Sequence, residues 1–143
     1  MSSATKDLRD AFQPRTALVR THPEGFLVGD DLRPTLEGTI DRITLRRKRF
    51  EGTRLVCHSE DGVRAVDETA CDMCQHTRCR PHLRIGLVNK GTRYIVDLTP
   101  SSAHNLFALE DDILTSGGTL MTTRLHLETI DRGDWGEVTF ERL

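Results

Sequence analysis

Four cysteines carry the most definite chemistry in this chain of 143 residues. They are Cys57 in LVCHSEDG and Cys71, Cys74 and Cys79 in CDMCQHTRC, spaced C-x13-C-x2-C-x4-C. A C-x2-C turn lets two thiolates face one point, and Cys79, four residues further on, can fold back beside them. Cys57 reaches the same point from the end of a neighbouring strand across the 13 residues between it and Cys71. That is the requirement of tetrahedral zinc, which holds each sulfur at about 2.3 Å. The segment has almost no apolar side chain beyond Met73, so a core cannot order it; a structural Zn2+ would. Four free thiols in so polar a stretch match buried small hydrophobes poorly. His58, His76 and His82 lie near enough to replace one sulfur, and a Cys3His set stays open.

An enzymatic alternative has to be set beside this. His58-Ser59-Glu60 followed by Cys71-Asp72-Met73-Cys74 spells the H-x-E, C-x-x-C pattern of zinc deaminases, in which the glutamate shuttles protons. Here Ala70 stands where a proline is usual, the two halves are ten residues apart, and Glu60-Asp61-Gly62 reads as a turn. Two more cysteines would go unexplained, and a closed four-sulfur site leaves no position for an activated water. No G-x-S-x-G elbow, phosphate loop or H-E-x-x-H occurs, and Asp111 and Asp112 fit the solvated face of a helix. The sequence therefore points to a protein that is not an enzyme.

Binding chemistry comes from cations. Arg46, Arg47, Lys48 and Arg49, followed by Phe50, form the densest positive run; Arg80 and Arg84, with Arg78 and His82, form a second group, and Arg93 stands beside Tyr94. A charged strand edge that resists aggregation explains such a run on its own. Single-stranded nucleic acid explains all three groups together, because charge follows the phosphates while rings stack on bases. Phe50, Tyr94 and Trp135 are the candidate platforms, each with core packing as its competing role. Aromatics make up only 5% of the chain, so binding dominated by charge, or cooperative, is expected. Charge and stacking do not discriminate sugars, so RNA is a second partner to consider alongside DNA.

The elements that must position these residues are mostly strands. The length fits one domain. A net charge of -2 hides a basic stretch, DRITLRRKRFEGTR at 41–54, and a mostly acidic chain after Asp97. There is no apolar run of 18 residues and the N-terminus lacks a secretion signal, which predicts a cytoplasmic protein without membrane contact. Residues 1–24 read as a flexible N-terminal arm and 25–143 as the folded domain, with the knuckle at 57–82 inserted in it. GFLVGD, TLEGTIDRITLR and TRLVCHS read as strands. HLRIGLVNKGTRYIVDLT reads as a hairpin turning at Asn89-Lys90-Gly91. Thr99 and Pro100 open a helix whose apolar stripe is Leu106, Leu109 and Ile113 with Phe107 and Leu114, and Gly117-Gly118 ends it. TLMTTRLHLETI and GEVTFERL close the chain as strands around DRGDW, with Met121, Leu125 and Leu127 on one face. A mainly β chain with one helix before its last two strands has the order of a small OB-type barrel.

The pieces LVCHSEDG, ACDMC with a third cysteine before RPHLRIGLV, VDLTPSSAHNL, TRLHLETI and WGEVTFE, in this order, resemble a family of phages and mobile elements. Its members are small zinc-containing, OB-fold-like proteins regarded as single-stranded DNA-binding proteins. The resemblance covers about residues 54–143, with a weaker match from Gly25. It implies zinc held by Cys57, Cys71, Cys74 and Cys79, and a role in replication, recombination or repair. A knuckle this short, with Gln75 where a proline is more usual, and an acidic C-terminal third depart from the pattern. The alternative from another class is an adaptor subunit of a larger mobile-element or defence nucleoprotein complex, binding protein neighbours or further copies of itself.

Overall fold

The computed structural model describes residues 15–51, 54–59 and 80–143. Among them are nine strands and one α-helix: β1 (Arg15–His22), β2 (Gly25–Val28), β3 (Asp31–Arg33), β4 (Thr35–Glu51), β5 (Arg54–Ser59), β6 (Arg80–Asn89), β7 (Thr92–Leu98), α1 (Pro100–Thr115), β8 (Arg124–Asp131) and β9 (Gly136–Arg142). All strands join one curled sheet in the order β3-β2-β1-β7-β6-β4-β8-β9, with β5 paired to β4. The protein is thus mainly β, with the helix before the last two strands, as its sequence order indicates.

Alternation decides which side of each strand is dry. In β7, Tyr94, Val96 and Leu98 point inward while Arg93, Ile95 and Asp97 point out. β8 and β9 bury Leu125, Leu127, Val138 and Phe140 in the same way, and β2 adds Phe26, which is wholly buried. These side chains, with Ile40, Ile85 and Leu87, fill one continuous core.

The long strand β4 is the keel of the sheet. Its first part, Thr35–Thr39, pairs with β8, and its second, Thr39–Lys48, pairs with β6. β4 has β8 on one edge and β6 on the other, over different stretches of its 17 residues, and Gly38, at φ 155°, lies beside the point where the two stretches meet. A Cβ at Gly38 would run into the carbonyl of Val88, so only glycine allows this approach. The ladder to β6 slips between Ile40 and Arg42, which leaves Asp41 as an unpaired bulge residue.

Local signals formed what they encode. Lys90 (φ 49°) and Gly91 (φ 77°) make the β6–β7 turn, a type I′ geometry suited to the twist of a hairpin. The hydroxyl of Thr99 accepts from the Ser102 amide at the start of α1. Gly117 (φ 87°) donates its N–H to Leu114 and Gly118 donates to Ile113, a Schellman ending. Phe107 and Leu114, read as part of the buried stripe, are instead exposed, because Ala103, Leu106 and Ile113 already form the face that meets the sheet. Met121 is likewise exposed: Leu120–Thr122 forms a short 3-10 turn, which makes Leu120 the inward residue and delays β8 to Arg124.

The largest departure lies at the N-terminus. Within the stretch read as an arm, Arg15–His22 forms β1, paired parallel to β7 from Arg15↔Thr92 to Val19↔Val96 and antiparallel to β2. The sheet therefore takes in eight residues, 15–22, that the sequence assigned to the arm. The far end of β1 curls onto the β8–β9 hairpin: the His22 carbonyl packs on Gly136, and Thr129 Oγ1 donates to the Pro23 carbonyl at 3.4 Å.

The outer edge of β9 is not left open. Ser102 is buried and its Oγ accepts from the Val138 N–H at 2.9 Å, while Asn105 Nδ2 donates to the Val138 carbonyl at 2.9 Å. The helix thus occupies both backbone groups that an added strand would use there.

Candidate nucleic-acid interface

The outward side of β4, β6, β7 and β1 carries the cations. Register places its residues in cross-strand rows. One row runs Arg42, Gly86, Ile95, Leu18. A second runs Thr44, Arg84, Asp97, and a third holds Val88, Arg93 and Thr16. All of these but Val88 and Asp97 line a shallow groove of about 290 Å³. Further along the same ladder, Arg46 stands opposite His82, Arg47 opposite Pro81 and Lys48 opposite Arg80. Beyond them β5 pairs with β4, and Cys57 stands opposite Arg49. The basic run is thus laid along one strand whose β6 partner is basic as well.

The arginines of the groove are not alike. Arg84 is clamped bidentately by Asp97, Nε to Oδ1 at 2.7 Å and NH2 to Oδ2 at 3.0 Å. Arg93 Nε donates to Asp41 Oδ2 at 2.7 Å. Both were read from sequence as phosphate contacts; each already faces a carboxylate. Arg42 is exposed and has no ion-pair partner among the described residues, and the sequence reading had not singled it out. Charge in this part of the groove therefore rests on Arg42.

Of the proposed stacking rings, Tyr94 is corrected. It is 7% exposed, belongs to the core, and its hydroxyl accepts from Arg33 NH1 at 2.8 Å. Its position in the inward register of β7 removes it as a platform. Trp135 is exposed in the β8–β9 turn. Phe50 lies near the end of β4, opposite Leu55 of β5. The apolar surface in the groove is aliphatic: Leu18 is 71% exposed, beside Ile95.

Cys71, Cys74, Cys79 and His76 lie outside the described residues, so the knuckle does too; Cys57 and His58 are placed on β5. Among the described residues, no group of three or more His, Cys, Asp or Glu is set to hold a metal, and no helix is long and apolar enough to cross a membrane.

Further across the same outward side, on β8, the charge differs. His126 of β8 sits between Glu128 (Nε2 to Oε1, 2.9 Å) and Glu37 (Nδ1 to Oε1, 3.3 Å). Its bond to Glu128, supported by Glu37 and opposed by partial burial, raises its pKa above 6.5. α1 adds Glu110, Asp111 and Asp112 without any Lys or Arg. The fold thus separates a basic face from an acidic flank, which net charge conceals. No family model, no curated protein and no solved structure matches this chain.

Proposed function

We propose that this chain is a non-enzymatic OB-type barrel that binds single-stranded nucleic acid, with single-stranded DNA as the expected partner. The observation that carries the reading is the register of β4 with β6, in which exposed Arg42 is followed along the ladder by Arg46, Lys48 and Arg80. The connectivity supports the barrel. β4, β6, β7, β8 and β9 serve as its five strands; the first is long and shared by the second and fourth, and the helix falls between the third and fourth. In such barrels oligonucleotides lie across the second and third strands and the adjoining loops. The second and third strands here are β6 and β7, and the loop between the last two holds Trp135.

We propose further that Cys57, Cys71, Cys74 and Cys79 hold one structural Zn2+ beside this face. Their spacing and their polar surroundings support it, and Cys57 opposite Arg49 would bring the ion to the end of the basic strand. The resemblance to phage and mobile-element single-stranded DNA-binding proteins, and the cytoplasmic setting, belong to the same reading. The exposed Phe107 and Leu114 beside Asp111 favour a protein neighbour on α1 as a second activity, in the manner of an adaptor.

The test is an anisotropy titration of the purified protein with single- and double-stranded DNA and RNA of equal length, run with metal analysis. Expected are preference for single strands, affinity that falls steeply as salt rises, and one zinc per chain. Equal affinity at low and high salt, or no binding to any oligonucleotide, would overturn the nucleic-acid reading.

A further inference from the structure

The ion pair of Asp41 and Arg93 lies in an unusual place. Asp41 comes from the bulge of β4 and Arg93 from β7, so the pair reaches across the whole of β6, and it does so directly over Gly86. A Cβ on Gly86 would collide with Asp41 Oδ1 and would stand 2.5 Å from Arg93 NH2 and 2.8 Å from its Cζ. The guanidinium thus rests down on the strand, in space open only because residue 86 has no side chain. The Arg93 side chain is 25% exposed and lines the groove. Next to it in the adjoining row stand Ile95 and the 71% exposed Leu18.

We infer that Arg93 is a base-stacking platform rather than a phosphate contact: the guanidinium, held down over Gly86 by Asp41 and extended by Ile95 and Leu18, seats one unstacked nucleobase of the bound strand. This rests on the nucleic-acid reading above and assigns a role within that site. Phosphate is a poor occupant, because a carboxylate accompanies each of Arg93 and Arg84 and would repel it. A base is a good one. Guanidinium planes stack on bases as aromatic rings do, the aliphatic side chains shield the opposite part of the ring, and about 290 Å³ accommodates a nucleoside. The arrangement also supplies what the groove lacks, since Tyr94 is turned into the core. Thr16 and Leu18 come from β1, so the N-terminal strand is a wall of this site.

The test compares two oligonucleotides of equal length and charge, oligo(dT) and a fully abasic tetrahydrofuran strand, on the wild type and on Arg93→Lys, Gly86→Ala and Leu18→Ser. Arg93→Lys keeps the charge and loses the plane; Leu18→Ser changes a side chain that is mostly in water and leaves folding intact. Each variant is expected to weaken oligo(dT) binding about fivefold, the low end for stacking of one base. None is expected to weaken the abasic strand, and the salt slope stays at the wild-type value. If Arg93→Lys and Leu18→Ser bind oligo(dT) as the wild type does, or lose equally on the abasic strand, the platform is wrong while the binding function stands. If neither oligonucleotide binds the wild type at low salt, the function falls and the platform with it.

Discussion

The unequal arginines of the groove lead to a quantitative expectation for salt dependence. Neutralising one phosphate of a single strand contributes about 0.7 to the slope of log K against log salt, through counterion release. Arg42 is exposed and unpaired among the described residues, so it offers its full charge. Arg84 does not, because Asp97 holds it through two bonds of 2.7 and 3.0 Å. Arg42→Gln is therefore expected to reduce the slope by about 0.7, so that between 50 and 200 mM salt the wild type loses about 2.6-fold more affinity than the variant. Arg84→Gln leaves Asp97 without its partner and is expected to weaken binding at every salt concentration, with little change of slope. Anisotropy titrations of a fluorescent oligo(dT) at five salt concentrations measure both slopes. Equal reductions in the two variants, or none in Arg42→Gln, would falsify the division of the arginines into unpaired and compensated cations.

Other expectations concern stability and metal. Ser102→Ala leaves the Val138 N–H buried without its acceptor and is expected to cost about 1–3 kcal/mol in urea unfolding; a loss below 0.5 kcal/mol, the range of ordinary surface changes, would mean that the helix does not seal this edge. The raised pKa of His126, set chiefly by Glu128, stabilises the fold fully below about pH 6.5; that contribution disappears as pH rises through the folded-state value. Melting temperature should therefore fall from pH 6 to pH 8.5 more in the wild type than in His126→Gln, and parallel curves would contradict the assignment. Removal of residues 1–24 deletes β1 with Val19 and should abolish cooperative unfolding measured by calorimetry, whereas removal of a mere arm would leave it unchanged. A strong chelator is expected to release one zinc per chain, read by a colorimetric metal indicator, and to lower the melting temperature; protein that carries no stoichiometric metal would end the zinc proposal.

What the sequence discloses here divides by how local its cause is. The turn at Lys90-Gly91, the Thr99 cap and the Gly117-Gly118 ending depend on a few adjacent residues, and all three formed as read. β1 depends on a parallel partner more than 70 positions away, Ala17 against Tyr94, and its residues carry no strong apolar pattern: Leu18, its most apolar member, faces water. Tyr94 shows the same limit at one position. Arg93-Tyr94 reads as a cation beside a ring until the pleat turns one out and the other in. The pairings of Arg84 and Arg93 needed still more, the register of β6 with β7 and the bulge that frees Asp41 to cross Gly86. Rings announce themselves in composition; an arginine held over a glycine does not.

The two capped edges explain why the groove can exist at all. A barrel of β4, β6, β7, β8 and β9 closes most directly by pairing β7 with β9. Here β1 takes the edge of β7, and Ser102 and Asn105 take the groups of Val138 on β9, so the two strands have no ladder to share. The curled sheet instead brings the far end of β1 to the β8–β9 hairpin, through the packing of His22 on Gly136 and the bond from Thr129 to Pro23. The sheet consequently continues beyond β7 with β1, β2 and β3, and β1 brings Leu18 next to Ile95. If that continuation is what makes room for a base, then Leu18→Arg should act oppositely on the two oligonucleotides. A new cation strengthens charge-driven binding of the abasic strand, while a long side chain across Ile95 removes the seat for a base in oligo(dT). A variant that gains affinity for both strands alike would show that the face contributes charge alone.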